Sequence, residues 1–283
     1  MNPPAIAVTG LRKTYGDNHA VNGLDLEVRR GEVFALLGPN GAGKSTTVEI
    51  LEGFRRRTAG DVEVLGVDPA HATRAWRERV GLMLQNTSGQ SFLTARETLV
   101  HASKLYPSPR DVDETLAAVG LTAKADEKPQ KLSGGQRRRL DVAVAVIGRP
   151  ELVFLDEPTT GFDPEARRQF WDMISALKDD GTTVVLTTHY LDEAERLADR
   201  IGIIAAGALV ALDTPSGLRS RATTTQVSWL DHGEHRTEDT ATPGEFLRTL
   251  LAAHDGEVPG LEVRRASLED VYLDLVGISE VAA

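Results

Sequence analysis

The sequence predicts an α/β fold with a mostly parallel sheet, an antiparallel rim, an inserted helical subdomain and a small C-terminal α+β appendage. Three observations predict this fold class. The apolar run 33–37 leads directly into a glycine-rich loop and then into a helical pattern. The apolar runs 152–155 and 183–187 flank another helical pattern, which is the order of a βα repeat. Between these two halves, the segment from about residue 94 to 148 is helical in character.

The first half of the sheet is predicted from short segments. Residues 6–8 and 25–28 predict antiparallel strands on the rim of the sheet. Residues 33–37 predict a buried strand, because they are continuously apolar. Residues 46–54 predict a helix, because their apolar residues recur at helical spacing, and residues 80–84 predict a further strand.

Capping residues mark the helical subdomain. Thr94 and Glu97 have the spacing of a capping box, in which each side chain accepts a hydrogen bond from the other residue's backbone. Residues 111–119 predict a short amphipathic helix that Gly120 stops. These helices belong to a subdomain at about residues 86–149 that is inserted into the sheet.

The parallel pattern returns after the helical subdomain. Asp163 predicts an N-cap with Pro164 at the first helical position, and residues 201–204 predict another buried strand. The composition changes at about residue 213, and we therefore predict one domain over residues 1–212 and a small accessory domain over residues 213–283.

The accessory domain carries its own signs of order. Thr242 and Glu245 predict a capped helix, and Ser267 and Asp270 precede another.

Composition excludes several classes of protein. The chain has 283 residues, of which 41% are hydrophobic and 26% charged, as in an ordinary globular protein. A net charge of −10 argues against nucleic acid as a principal partner. The absence of cysteine excludes disulfides and thiolate metal sites. No run approaches the roughly 18 apolar residues of a membrane span, and residues 1–4 do not resemble a signal peptide, so we expect any membrane role to be peripheral.

A phosphate-binding loop is the first candidate site. Its motif is Gly, four variable residues, then Gly-Lys-Ser, and it lies between a buried strand and a helix, as this motif requires. Backbone N–H groups of such a loop bind phosphate oxygens, Lys44 reaches the β- and γ-phosphates, and the Ser45 hydroxyl binds Mg²⁺. The predicted nucleotide-binding residues are Gly38, Pro39, Asn40, Gly41, Ala42, Gly43, Lys44, Ser45 and Thr46. Taken alone, the loop is compatible with kinases, GTPases and motor ATPases.

Two consecutive acidic residues limit the reactions that the site could support. Asp156 and Glu157 end the apolar run 152–155, at the carboxyl edge of the sheet where the Mg²⁺ and phosphate sites of such folds lie. Adjacent residues point in different directions, so Asp156 can coordinate Mg²⁺ while Glu157 polarises the attacking water. The alternative is a solvated acidic turn.

Three single residues are weaker candidates. His189 and Gln85 each follow a predicted strand, so they could contact the γ-phosphate, and Gln85 could also sense the metal or the water. Tyr15 offers an aromatic face for a base. Taken alone, each of these residues also fits a structural role at the surface, at a strand end or in the core.

These features occur in an order that resembles the ATP-binding cassette of ABC transporters, over about residues 5–212. The specific feature is the signature segment (residues 132–136), Leu-Ser-Gly-Gly-Gln. The resembling set comprises Tyr15, the phosphate-binding loop, Gln85, the signature segment, residues 155–157, residues 161–163 and His189. The resemblance implies a P-loop NTPase fold, ATPase activity, and ATP and Mg²⁺ as ligands.

In that family two cassettes pack head to tail around two nucleotides. The resemblance therefore implies that Ser133, Gly134, Gly135 and Gln136 face the γ-phosphate held by Lys44 of a second copy. A helix N-terminus with small residues is a suitable anion site. The alternative is that Ser133 serves only as a helix cap.

The resemblance also implies individual roles. Tyr15 would stack on adenine, Gln85 would contribute to the metal site and couple it to a membrane partner, and His189 would hold the γ-phosphate. Asp163 would communicate across the dimer, although Phe162 stands where leucine is usual. Glu157, His189 and Gln85 are thus the catalytic candidates, and Ser45, Gln85 and Asp156 the metal ligands.

The C-terminal residues 267–273 and the junction 213–215 resemble single-cassette subunits of drug-resistance and ABC-2 type exporters. The implied function is an ATPase subunit on the cytoplasmic face of the membrane that drives a separately encoded membrane subunit. The alternative is a soluble ABC ATPase that acts in translation or DNA repair. A plain P-loop kinase or GTPase would not need the signature segment.

Two arginine runs, 55–57 and 137–139, could suggest nucleic-acid or lipid binding. We favour structural roles, because the first follows a helix end and the second continues the signature helix.

Overall fold

Continuous apolar runs form the centre of the fold. The structure is a computed structural model, and it describes residues 3–83, 92–221, 225–231, 233–254, 256–265 and 267–281. The strands are β1 (Ile6–Tyr15), β2 (Asn18–Val28), β3 (Val33–Leu37), β4 (Ala59–Val64), β5 (Val80–Met83), β6 (Leu152–Asp156), β7 (Thr183–Thr187), β8 (Arg200–Ala205), β9 (Ala208–Asp213), β10 (Thr225–Asp231), β11 (Glu234–Thr240) and β12 (Glu262–Arg265). The helices are α1 (Lys44–Leu51), α2 (Arg74–Arg77), α3 (Ala95–Ser103), α4 (Val112–Ala118), α5 (Gly134–Val146), α6 (Pro164–Asp179), α7 (Leu191–Leu197), α8 (Pro215–Arg219), α9 (Pro243–Ala253) and α10 (Leu268–Val281).

The main sheet has six strands in the order β5-β6-β7-β3-β8-β9. The pairs from β5 to β8 are parallel. Strand β9 follows β8 after two residues, a connection that only antiparallel neighbours can have. All residues of β3 and β7 are buried, as expected for strands covered on both faces. The predicted parallel α/β architecture is therefore confirmed.

The predicted antiparallel strands form a sheet of their own, in the order β2-β1-β4. They do not extend an edge of the parallel sheet, because β1 pairs with β2 on one side and with β4 on the other. The two sheets pack through a shared apolar core that includes Leu11, Leu24, Phe34 and Phe154. Sequence patterns predicted parts of β1 and β2, over residues 6–8 and 25–28, but neither β4 nor this division into two sheets.

The predicted helix over residues 46–54 is shorter than expected. Helix α1 ends at Leu51, and Gly53 adopts a left-handed conformation with φ of +79°. Phe54 therefore lies outside the helix, with 63% of its surface exposed.

Helices α3, α4 and α5 are inserted between β5 and β6. The capping box predicted at Thr94 and Glu97 is confirmed, since both of its reciprocal hydrogen bonds are present. Asp111 caps α4, and Gly120 ends this region with φ of +64°. Among the described residues, no helix is long and apolar enough to cross a membrane.

The chain divides into two compact units, Met1–Leu212 and Asp213–Ala282. The second contains an antiparallel sheet in the order β11-β10-β12 and a small core of Val227, Trp229 and Leu250.

The two capping predictions in this second unit had different outcomes. Ser267 and Asp270 form the predicted reciprocal bonds at 3.2 and 2.7 Å. The helix predicted after Thr242 is confirmed, since α9 begins at Pro243, but the predicted capping bond is absent: Thr242 lies at φ −121°, ψ 66°, and its side chain makes no capping bond. Its N–H donates instead to the Thr240 hydroxyl, at 3.1 Å.

Candidate functional site

The phosphate-binding loop connects β3 to α1 and depends on glycine at three positions. Gly41 and Gly43 have φ of +81° and +102°, in the region that favours glycine. A Cβ atom at Gly43 would collide with the carbonyl oxygen of Ala20, and one at Gly38 with that of Ile204. The loop therefore packs its backbone directly against neighbouring backbone.

Lys44 is buried at the start of α1, with 8% of its surface exposed. Its Nζ donates to the carbonyl oxygens of Gly38 and Pro39 at 2.7 and 2.9 Å, so the ammonium group lies inside the loop. Burial lowers the pKa of Lys44, whereas the charges of Glu157 and Asp156 raise it. The lysine and both acids therefore share one electrostatic site. Ser45 is exposed on the first turn of α1, and Thr46 is half-buried.

Asp156 and Glu157 lie at the carboxyl end of β6, as predicted. A carboxylate oxygen of Asp156 accepts a hydrogen bond from the Thr187 hydroxyl on the neighbouring strand β7. The backbone N–H of Glu157 donates to the carbonyl oxygen of the same threonine, at 3.0 Å. Glu157 has φ of +45°, a left-handed conformation that is unusual for a residue with a side chain. The chain thus turns sharply between the two acids.

His189 follows β7, and its Nδ1 lies 3.3 Å from Oε1 of Glu157. The two side chains retain 47% and 33% of their surface exposed, so both are accessible to a ligand. The other carboxylate oxygen of Glu157 accepts from the Thr160 hydroxyl at 3.4 Å. The structure thus brings together two residues that sequence analysis had considered separately.

The signature segment forms the N-terminus of α5. Ser133 Oγ accepts from the backbone N–H of Gln136 at 3.2 Å, and the N–H of Ser133 donates to Oε1 of Gln136 at 3.0 Å. The capping role considered as an alternative for Ser133 is therefore present. A Cβ atom at Gly134 would meet no other described atom within 4 Å, so this end of the helix is open. At Gly135 a Cβ would lie 3.5 Å from the Phe162 ring.

The remaining predicted residues lie in different places. Tyr15 ends β1 with 40% of its surface exposed, and Lys13 and Arg55 lie over its ring at 4.8 and 5.4 Å. Asp163 caps α6, since its Oδ1 accepts from the N–H of Ala166 at 2.8 Å. Gln85 lies outside the described residues.

Sequence analysis missed three residues around the acids. Thr187 binds Asp156, as described above. Arg138 on α5 donates through Nη2 to the backbone carbonyl oxygens of Asp156 and Glu157, the second bond being 3.0 Å long. The pKa of Glu52 is raised to about 8, mainly by burial and then by the charges of Asp156 and Glu49. Only Thr187, at a predicted strand end, carried a signal that could have indicated its position.

Comparison with known proteins agrees with this geometry. A family model described as ABC transporter matches residues 21–160. The daunorubicin/doxorubicin resistance ATP-binding protein DrrA of Streptomyces peucetius is 38% identical, over 96% of this chain and 92% of that protein. The Nod factor export ATP-binding protein I of Ralstonia nicotianae is 37% identical, over 97% of this chain and 94% of that protein.

Solved structures share the fold. The dimeric ATP-binding cassette MJ0796 in a post-hydrolysis state with ADP and Pi is 25% identical, with a TM-score of 0.67 over 74% of this chain and 98% of that one. The structure of an ATP-binding subunit of an ABC transporter is 23% identical in sequence. The match has a TM-score of 0.73 and covers 96% of this chain and 99% of that one. Because the matched relatives exceed 30% identity over nearly their whole length, the chain belongs to the ABC transporter family, as an ATP-binding subunit that hydrolyses ATP.

Proposed function

We propose that this chain is the ATPase subunit of an exporter, in which two copies close around two ATP molecules and drive a separate membrane subunit. The observation that carries the proposal is the convergence of Lys44, Asp156 and Glu157, whose charges act on one another at the carboxyl edge of the sheet. Such an edge is where ligands of open α/β sheets bind.

The phosphate-binding loop supplies the nucleotide site. The Lys44 ammonium group donates to loop carbonyls, from which it can turn to the β- and γ-phosphates of ATP. The backbone N–H groups of the loop, which all residues of 38–46 except Pro39 carry, bind phosphate oxygens, helped by the positive end of the α1 dipole. Tyr15 offers 40% of its surface, on which adenine can stack.

The residues present suit Mg²⁺. The exposed Ser45 hydroxyl and the Asp156 carboxylate are hard oxygen donors, and Mg²⁺ in nucleotide sites is held by one or two such groups together with phosphate oxygens. Thr187 orients the carboxylate by its hydrogen bond. When bound, the ion neutralises charge on the phosphates. Gln85 completes the set in the proposal, on the basis of the family resemblance.

Hydrolysis requires a base beside the γ-phosphate. Glu157 takes a proton from the attacking water, whose oxygen bonds to the γ-phosphorus while the bond to the β-phosphate oxygen breaks. In this proposal His189 holds the γ-phosphate and the base together, which the distance of 3.3 Å between its Nδ1 and the Glu157 carboxylate supports. A positioned base is worth about 10²–10⁴-fold in rate.

The second copy supplies the other wall of each site. At the open helix end, the N–H groups of Ser133 and Gln136 are used in the capping box, so Gly134 and Gly135 offer their N–H groups to an anion, together with the positive end of the helix dipole. Asp163, which caps α6, follows Phe162, and the Phe162 ring lies near Gly135 of the signature segment, 3.5 Å from where a Cβ atom of that residue would be. This arrangement supports communication across the dimer through Asp163.

An exposed apolar surface supports a membrane partner. Phe54 is 63% exposed at the edge of a cleft of about 410 Å³ that Trp76 and Tyr106 also line. Relatives named for drug resistance and Nod factor export support export as the direction of transport and the cytoplasmic membrane face as the location. The soluble alternative in translation or DNA repair is not favoured.

The variant Glu157→Gln tests the proposal. It removes the base but keeps the shape of the side chain, so we expect hydrolysis to fall about 10²–10⁴-fold while ATP binding is retained. Light scattering should then detect a dimer that depends on ATP and Mg²⁺. Glu63→Gln, an exposed carboxylate on β4, is the matched control and should hydrolyse ATP normally. A Glu157→Gln variant that stays monomeric at saturating ATP would contradict the two-copy site.

A further inference from the structure

We propose that Arg138 is a positioning residue, which holds the backbone of Glu157 in its catalytic conformation and connects it to the signature segment. The inference rests on the proposed function, in which Glu157 is the base and the signature segment contacts the partner's ATP. The carrying observation is the pair of hydrogen bonds from Arg138 Nη2 to the carbonyl oxygens of Asp156 and Glu157.

The backbone of Glu157 needs support from its surroundings. A residue with a side chain at φ of +45° is less stable than in an ordinary conformation and persists only where neighbouring groups hold it. Three groups do so here. Thr187 accepts the N–H of Glu157 at 3.0 Å, and the Glu157 carbonyl oxygen accepts from Arg138 at 3.0 Å and from the backbone N–H of Thr160 at 3.3 Å. The sharp turn is therefore held from both sides.

Arg138 is well placed for this role. The residue is half-buried, its Nε has almost no exposed surface, and its Nη2 reaches the end of β6. Hydrogen bonds from a charged donor are roughly twice as strong as neutral ones, and burial strengthens them further. An arginine here thus restrains two successive carbonyl oxygens with a single nitrogen.

The same arginine belongs to the signature helix. Arg138 follows Gly134 by four residues and Gly135 by three, so it lies on the same helix face one turn further along. A displacement of the helix start toward a phosphate would therefore also displace the guanidinium group. In the closed dimer, the partner's nucleotide would thereby act on the base of this chain's own site.

Substitutions at Arg138 test this connection. Arg138→Met keeps the aliphatic stem and removes the donors, and Arg138→Gln is a polar second variant that is too short to reach both carbonyl oxygens. We expect each to lower kcat about 10-fold or more, with KM for ATP changed less than about 2-fold, because the nucleotide contacts remain. Arg138→Lys should recover part of the loss, since it keeps a charged donor. Arg137→Ala, an exposed residue of the same helix, is the control for charge and should keep normal turnover.

The Glu157→Gln background separates positioning from a general structural effect. If Arg138 acts through Glu157, adding Arg138→Met there should change the residual rate less than about 2-fold and leave the ATP-dependent dimer intact. An equal fractional loss in both backgrounds would overturn the proposal, as would normal kcat in either the Met or the Gln variant. Glu157→Gln with normal turnover would instead contradict the proposed function, whatever Arg138 does.

Discussion

The imidazole Nδ1 of His189 lies 3.3 Å from Oε1 of Glu157, although the two residues are 32 positions apart in the chain. They meet because β6 and β7 are adjacent and parallel, with Asp156 paired to Thr187 in the register. The contact joins the proposed base to the residue that is proposed to bind the γ-phosphate.

We expect His189→Ala to lower kcat about 10–100-fold and to leave ATP affinity within about 3-fold. Loss of one charge-stabilising contact in a catalytic site has an effect of this size. The measurements are steady-state hydrolysis and equilibrium binding of ATP. His235→Ala, at an exposed position on β11, should behave as wild type. If affinity falls as much as turnover, His189 binds the ground state and has no special role in hydrolysis.

At Ser133 two substitutions separate capping from catalysis. Aspartate and threonine are both effective N-caps, so each should preserve α5 and the melting temperature. Aspartate would place a negative charge where the partner's γ-phosphate is proposed to bind. We expect Ser133→Asp to abolish dimer formation and turnover while monomer affinity for ATP is unchanged, and Ser133→Thr to retain much of the activity. Equal activity of the two variants would argue that the segment does not face a phosphate.

Two glycines of the phosphate-binding loop should differ in how strongly their substitution weakens ATP binding. A methyl group at Gly43 would collide with the carbonyl oxygen of Ala20, whereas one at Gly41 would meet no described atom within 4 Å. Both substitutions carry the conformational penalty of positive φ, about 1 kcal/mol. We therefore expect Gly43→Ala to weaken ATP binding at least about 10-fold more than Gly41→Ala. Titration with a fluorescent ATP analogue measures the difference, and similar losses would contradict it.

Acid should remove the stabilising effect of the Arg57–Asp68 ion pair. Two hydrogen bonds of 2.8 Å from Arg57 lower the pKa of Asp68 from 3.8 to about 2. Because the folded-state pKa is depressed, the stabilisation is complete well above pH 3.8 and is lost as the pH falls toward 2. We expect Asp68→Asn to cost about 2 kcal/mol of unfolding free energy at pH 7 and about half of that at pH 3.

Urea unfolding of both proteins at the two pH values measures this difference. Asp17→Asn, at an exposed position, should cost little at either pH. A constant difference between wild type and Asp68→Asn would show that the effect is not electrostatic.

Structural elements that depend on adjacent residues could be predicted from sequence. The buried run 33–37, the N-cap at Asp163 and the capping box at Thr94 are each specified by adjacent residues, and the structure confirms all three. The separate antiparallel sheet could not be predicted, because it depends on which distant strands pair with β1. The capping bond at Thr242 does not form, and the N–H of this residue donates to the hydroxyl of Thr240, two residues earlier, so it is not available to the side chain of Glu245.

Some residues of the candidate site could likewise be predicted from sequence, and others could not. Lys44, Asp156 and Glu157 were identified because motifs place them at strand ends, where a parallel sheet collects side chains. Arg138 could not be identified, because its partners are backbone carbonyls 18 and 19 residues away, which only the packing of α5 on β6 brings near. In the sequence it is one of three consecutive arginines.

The order β6-β7-β3 has a consequence for how much this protein can vary. The base follows β6, the histidine follows β7 and the phosphate-binding loop follows β3. The distances between these three groups are therefore set by the distance between neighbouring strands. Two inter-strand steps amount to about 10 Å, and backbone hydrogen bonds fix that value whatever side chains the strands carry. The sheet therefore fixes the distances between the catalytic groups, and substitutions in the surrounding helices can accumulate without changing these distances.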